Sequence, residues 1–129
     1  MSHFVIESAG AFRDAKRDAK RDAGIPIAQQ PNQVFDPRTQ TIRQYKSVKM
    51  TDKNKKTIFD SNNQPIWTRE YEFSKKDGSK VIIQDHSAGH YYGKMDGEGD
   101  QGIHLNIRPY HNTRTGKVAG TKEHYPFRK

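Results

Sequence analysis

The 129-residue sequence contains no cysteine. This absence excludes a disulfide framework, a zinc site built from thiolates and a cysteine nucleophile. Long apolar runs are also missing, so the sequence predicts no helix that spans a bilayer. The first ten residues have neither the basic start nor the apolar stretch of a signal peptide. If the protein leaves its cell, we therefore expect something else to carry it, such as a longer chain of which it is a piece.

Hydrophobic residues are scarce as well, at 31% of the chain, and the mean hydropathy is -1.11. These values lie between those of a compact globule and those of a disordered chain. One tryptophan, six tyrosines and six phenylalanines nevertheless supply large side chains to bury. We expect a single domain over residues 1–129, with a thin core rich in strands and with long loops.

Positive charge, in contrast, is abundant. Lysine and arginine number 23 against 15 acidic residues, which gives a net charge of +8 and an isoelectric point near 9.7. Such a balance in one domain is typical of proteins that bind nucleic acid. The competing interpretation is a merely soluble basic surface, because many basic domains bind nothing.

A helix is predicted over residues 7–23, where Ser8 caps the first turn and Gly24 follows the last. Its centre is a tandem repeat of Arg-Asp-Ala-Lys, and a period of four aligns like residues in rows along a helix. We expect the alanine row and Phe12 to dock on the rest of the protein, with the charged rows in solvent. A dedicated phosphate-binding face is the less favoured interpretation of this helix.

The middle of the chain predicts strands. A polar connector over residues 25–38 is followed by a predicted strand over residues 41–50. Residues 66–73 then alternate between two kinds of side chain, which is typical of a strand with one buried face. The alternation places aromatic residues on one face and polar residues on the other, namely Trp67, Tyr71 and Phe73 against Thr68, Glu70 and Glu72.

A tight hairpin turn is predicted at Asp77-Gly78. The chain then returns through the buried strand Val81–Ile83 and reaches Asp85 and His86. Beyond it, residues 91–102 indicate a flexible, glycine-rich loop, and residues 103–107 form a short regular segment whose type the pattern leaves open.

Five of the six histidines follow residue 85: His86, His90, His104, His111 and His124. Histidine acts as a metal ligand or as a general base near neutral pH. Cleavage of a phosphodiester with a metal ion needs ligands for the ion and a base that activates water. Ligands of suitable chemistry are offered by Asp85, His104, Asn106 and His111, and the base by His86 or His90.

Other chemistries fit less well, because the sequence has no nucleophile elbow around Ser87 and no glycine-rich phosphate-binding loop. Contacts to the nucleic acid are expected from side chains in the same part of the chain: Lys94, Arg108, Arg114 and His124.

Several blocks together carry a family resemblance: residues 10–13, 20–26, 29–31, 68–71, 83–90, 104–109 and 124–127. In this order they resemble the C-terminal toxin domains of bacterial polymorphic toxins with an HNH/endonuclease VII fold. Such domains stand at the ends of Rhs, WapA-like and contact-dependent-inhibition proteins. The resemblance runs over residues 10–127 and leaves residues 1–9 as an N-terminal extension.

The resemblance implies an α+β fold, with a small ββα-metal core, an N-terminal helix, a β-hairpin and long loops. It also implies a pattern of one acidic residue and three histidines, carried here by Glu70 or Glu72 with His90, His104 and His124. The Asp85-His86 pair matches the aspartate-histidine step of endonuclease VII-like sites. His86 and His90 therefore compete for the role of general base.

The function implied is that of a metal-dependent endonuclease toxin, with DNA favoured over RNA and with Mg, Mn, Zn or Ni as the ion. It would be delivered as the C-terminal part of a larger toxin, act in the cytoplasm of the target bacterium and be blocked by a cognate, acidic immunity protein, without a membrane partner. Two alternatives stay open. One is a ribonuclease toxin without metal, directed at tRNA for example, and the other is a binding module in which Trp67, Tyr91 and Tyr92 stack on bases.

Overall fold

A computed structural model describes residues 2–52, 54–85, 104–122 and 124–126, with the side chains of the helix from residue 12 onward. The described residues form one helix and seven strands: α1 (Ser2–Ala23), β1 (Val34–Asp36), β2 (Thr41–Arg43), β3 (Lys46–Lys49), β4 (Trp67–Ser74), β5 (Lys80–Asp85), β6 (His104–Pro109) and β7 (Tyr125–Pro126). The α+β class, the N-terminal helix and the hairpin are confirmed. In these ranges no helix follows the hairpin, and no helix is long and apolar enough to cross a membrane.

The strands form two antiparallel sheets. β1 and β2 pair with each other, while β3, β4, β5, β6 and β7 form a five-stranded sheet in that order. The prediction of one strand over residues 41–50 was wrong, because the chain changes partner within it. β2 pairs with β1, and β3 then pairs with β4. The predicted connector over residues 25–38 also contains a strand, β1.

α1 packs through its small residues on one face of the five-stranded sheet. Ala15, Ala19 and Ala23 are buried, and Phe12 packs against the same core. Alanine side chains are small and let the helix approach the sheet closely. The docking of α1 through its alanine row, which the repeat predicted, is confirmed. The predicted start was wrong, because α1 begins at residue 2 and Ser8 lies within it.

The predicted β4–β5 hairpin is confirmed, since Gly78 adopts the left-handed conformation that its turn requires, with φ of 89°. Apolar side chains of the central strands face α1, and Phe73, Ile83 and Leu105 are fully buried there. The opposite face carries polar side chains, because successive residues of a strand point to opposite sides. This polar face positions the candidate site, and the predicted alternation of β4 is confirmed.

Candidate active site

A row of polar side chains crosses the polar face of the sheet. In the strand register Glu70 pairs with Gln84, Gln84 pairs with Asn106, and Asn106 contacts His124 beside β7. The Gln84 amide donates hydrogen bonds to Glu70 Oε2 at 2.9 Å and to the carbonyl oxygen of Thr113 at 2.8 Å. We call Glu70, Gln84, Asn106 and His124 the polar row. Its buried amides are hydrogen-bonded to Glu70, to His124 and to the Thr113 carbonyl, so the row has a defined geometry.

Two histidines meet at the end of the polar row. The rings of His104 and His124 lie with centroids 4.5 Å apart and planes at 69°. His104 is buried, with 3% of its surface exposed, while His124 is half-buried. His124 Nδ1 lies 2.8 Å from Asn106 Oδ1. Because an amide oxygen can only accept, His124 Nδ1 carries the proton, and in the neutral ring Nε2 keeps its lone pair.

The ring nitrogens of these two histidines are donor atoms that suit a divalent metal ion. Metal-binding histidines commonly donate their second ring nitrogen to a carbonyl or carboxylate oxygen, as His124 does to Asn106. Imidazole nitrogens suit zinc and nickel, among other ions. Among the described residues, no three histidine, aspartate or glutamate side chains converge as a complete ligand set. His104 and His124 therefore account for at most part of a coordination sphere.

Asp85 lies apart from these histidines. It pairs with Arg69 on one side and with Leu105 on the other, and Leu105 belongs to the core under α1. Directly paired residues share a face of the sheet. The structure therefore places Asp85 on the face opposite His104 and Asn106, and does not bring these three predicted ligands together.

His111 is also separated from His104. β6 begins at His104, and His111 lies in the exposed turn beyond its other end. A strand of this length spans roughly 17 Å, so the two histidines stand at opposite ends of the sheet. Of the four predicted ligands, only His104 and Asn106 share one local site.

The predicted contacts to nucleic acid are divided as well. Arg108 is half-buried and donates from Nη1 to the Gly116 carbonyl oxygen at 2.9 Å, which holds the loop after β6. Arg114 is exposed and donates to Thr51 Oγ1 at 3.0 Å. His124 belongs to the polar row. Lys94 lies outside the described residues, as do the two base candidates, His86 and His90.

Sequence reasoning missed Gln84, which joins Glu70 to Asn106. The strand alternation could have found it, because Gln84 lies two residues after Ile82, on the face opposite the buried Ile83. It also missed a cationic groove beside Asp85, described below. Part of this groove is built from the turn between β1 and β2, from β2 and from the bend after β2, where the sequence had predicted a connector and a single strand.

Two side chains at the helix-facing side of the sheet, Lys16 and Tyr125, have shifted pKa values. Burial lowers the pKa of Lys16, and the Asp85 carboxylate opposes that change. Burial and the hydrogen bond to Asp22 raise the pKa of Tyr125 to about 12. The Tyr125 phenol consequently stays protonated and donates a hydrogen bond to Asp22 Oδ2 at 2.7 Å, which connects α1 to β7.

One family of known proteins matches this chain. The Tox-HNH-EHHH family, described as HNH/Endo VII superfamily nuclease toxins, matches residues 57–127. The match covers more than half of the chain and includes the whole polar row. No curated protein and no solved structure shows significant similarity.

Proposed function

Because the chain belongs to the HNH/Endo VII superfamily of nuclease toxins, we propose that it is an endonuclease that uses a divalent metal ion, with DNA as its preferred substrate. The observation that supports this most is the contact of His104 with His124 at the end of the polar row. The net charge of +8 suits a phosphate-rich substrate. In this proposal the toxin is delivered as the C-terminal part of a larger protein and acts in the cytoplasm of the target bacterium.

We assign His104 and His124 as ligands of the ion. Asn106 holds His124 by accepting from Nδ1, so that the lone pair of the neutral ring lies on Nε2, away from the amide. Glu70 is the acidic member of the row and orients the Gln84 amide. A bound divalent ion at this place would polarise a phosphoryl oxygen and stabilise the leaving oxygen.

The general base in this proposal is His90, with His86 as the competing candidate. A base that takes a proton from water contributes about a hundred- to ten-thousand-fold to the rate. His90→Ala should therefore abolish cleavage and leave nucleic-acid binding intact. If His86→Ala is inactive and His90→Ala is active, the two histidines exchange roles.

Cleavage assays test the function and its ligands together. Plasmid DNA and total RNA are incubated with the protein and Mg, Mn, Zn or Ni, with and without chelator. We expect metal-dependent nicking of the plasmid, and a loss of more than about a hundredfold in His104→Ala and in His124→Ala, because even groups that only orient a metal ligand contribute 10- to 100-fold. His111→Ala is the matched control, because His111 is exposed and lies at the far end of β6.

Two results would contradict the proposal. Full cleavage of RNA in chelator, with no metal found by elemental analysis, would favour a metal-independent ribonuclease. Tight binding without cleavage under every metal condition would favour a non-enzymatic binding module. Activity of His111→Ala as low as that of His124→Ala would mean that the ligands are misassigned.

A further inference from the structure

A cationic groove lies beside the helix-facing side of the sheet, away from the polar row. It is open, has a volume of about 560 Å³ and reaches Asp85 at the end of β5. We call its cationic and aromatic members the arginine–aromatic groove: Arg38, Arg43, Tyr45, Trp67 and Arg69. Three of the five precede residue 57, so the groove extends beyond the segment that the nuclease family matches.

Each arginine of the groove stacks on an aromatic ring. The Arg38 guanidinium lies 5.1 Å from the centroid of Trp67. Those of Arg43 and Arg69 lie 4.1 Å and 4.5 Å from the centroid of Tyr45. Stacking uses the flat face of a guanidinium and leaves the N–H groups at its edge for oxygen acceptors such as phosphate. Arg43 already donates to acceptors within the protein, the Tyr45 hydroxyl among them, so Arg38 and Arg69 are the arginines that can offer N–H groups to a phosphate.

A buried carboxylate holds the groove in shape before any ligand binds. Asp36 is fully buried, and it accepts hydrogen bonds from Arg43 Nη1 at 3.1 Å and from the backbone nitrogens of Arg38 and Ser47 at 3.2 Å and 3.0 Å. It thereby fixes β1, the following turn and β3 to each other. The groove therefore takes its shape when the protein folds, and a ligand does not have to order it on binding.

The exposed charge of the groove is positive. Arg43 is balanced by Asp36, but Arg38 and Arg69 are exposed, and exposed Lys49 lies 5.6 Å from the Trp67 centroid. Among the residues that the structure describes, Asp85 is the one carboxylate that lines the groove. A ligand that satisfies several spaced cations and also contacts aromatic rings is expected to be a chain of phosphates with bases attached.

We propose that the arginine–aromatic groove binds the phosphodiester backbone of a single strand of nucleic acid. This inference rests on the proposed nuclease function and names where its substrate is held. The volume suits roughly one or two nucleotides of a strand. Trp67, Asp85 and His104 all lie at the same end of the sheet, with the groove on one face and His104 on the other. A nucleic-acid strand that crosses this end of the sheet would therefore reach both the groove and His104.

Tryptophan fluorescence tests the groove directly, because Trp67 is the single tryptophan of the chain. The full chain is titrated in chelator with an oligodeoxythymidylate at several salt concentrations. We expect saturable quenching of Trp67, with an affinity that falls steeply with salt. Anisotropy of a labelled oligonucleotide measures total binding in parallel.

Two double variants separate the groove from the overall charge. Arg38→Ala/Arg69→Ala removes two cations from the groove, and Arg13→Ala/Arg17→Ala removes two exposed arginines from α1. We expect the groove variant to weaken binding more than tenfold and to reduce the salt slope by about 1.4, because each phosphate contact of a single strand contributes about 0.7. The control variant should change either quantity much less. Thermal unfolding verifies that both variants are folded.

Three results would overturn the proposal: equal losses in the two variants, binding by anisotropy without quenching of Trp67, or equally effective competition by polyglutamate of matched charge. The last would indicate a surface for an acidic protein. If the proposed nuclease function is wrong, the protein will cleave nothing under any metal condition. The quenching of Trp67, and its loss in the groove variant, will then be unchanged, so the two failures are distinguishable. If both proposals hold, the groove variant should raise KM for single-stranded DNA more than it lowers kcat.

Discussion

A single proton decides what His124 can do. Asn106 Oδ1 holds this proton on Nδ1, and the other nitrogen is then the one that can face an ion or a substrate. Asn106 is itself buried with 3% exposure and paired across the sheet with Gln84. The side chain that orients the imidazole thus lies on a strand that is paired within the sheet.

Asn106 is therefore predicted to act as a positioning residue. Asn106→Ala should weaken metal binding by about 10- to 100-fold, because the partner that orients a ligand is lost. Asn106→Asp should recover most of the affinity, since its carboxylate also accepts from Nδ1. Titration of the folded protein with Zn or Ni by calorimetry measures this without an activity assay.

A purely structural role of Asn106 would give a different result. Both variants would then be destabilised, and the aspartate would not restore metal binding. Equal metal affinity of the wild type and Asn106→Ala, with both proteins folded, would remove Asn106 from the site.

At the scale of elements, the small β1–β2 hairpin is secured to the main sheet by a carboxylate. Burial alone would raise the pKa of Asp36, but hydrogen bonds from Ser47, Arg38 and Thr39 outweigh it and lower the pKa to about 2. The ordinary value is 3.8. A carboxylate whose pKa is lower in the folded state stabilises the fold above its unfolded pKa and loses that effect as the pH falls.

We predict that the stability of the protein declines as the pH falls from about 4 to about 2, in part through Asp36. Asp36→Asn should lower the unfolding temperature by several degrees at pH 7, because its amide group cannot accept from all the present donors. The decline between pH 4 and pH 2 should then be smaller. Thermal unfolding followed by Trp67 fluorescence measures both effects.

Asp14→Asn is the matched control for this experiment. Asp14 is exposed and pairs with Arg17 on the surface of α1, where an ion pair contributes little. If the two variants show the same pH dependence, Asp36 is not the anchor that its hydrogen bonds indicate.

Sequence patterns predicted the helix, strand and turn that depend only on neighbouring residues in the chain. The alternation of β4, the turn at Gly78 and the alanine row of α1 follow from residue spacing alone. The division of residues 41–50 into two strands depends on a change of pairing partner, which spacing does not encode. That change also creates the arginine–aromatic groove.

The site was predicted less completely for a related reason. His104 and Asn106 share a face because they are two residues apart on one strand, whereas the sequence pattern had left the type of that segment open. Asp85 is separated from them by the register of β5 with β6, which joins residues about twenty positions apart. A shift of that register by one residue would have moved Asp85 to the other face. The contact of His124 with Asn106 has the same long-range origin.

For the whole molecule, the proposed function as a nuclease toxin predicts a partner besides nucleic acid. A nuclease present in the cytoplasm of the cell that makes it would attack the nucleic acid there, so we expect the producing cell to make an inhibitor. An acidic protein would be steered to a surface of charge +8 and associate quickly. The exposed arginines of the groove and Arg114 lie on the described part of that surface.

We predict that the chain expressed alone in bacteria halts growth, and that co-expression of the gene next to its own restores it. The encoded inhibitor should be acidic, and its association rate should fall by at least about tenfold between low and high salt, because steering is screened by ions. His124→Ala should be tolerated without the inhibitor and still bind it, which separates toxicity from binding. Stopped-flow mixing of this inactive variant with the inhibitor measures the rate. Normal growth of cells that contain soluble, intact and metal-loaded wild-type protein would contradict the toxin function, whereas a salt-independent association rate would contradict only the acidic partner.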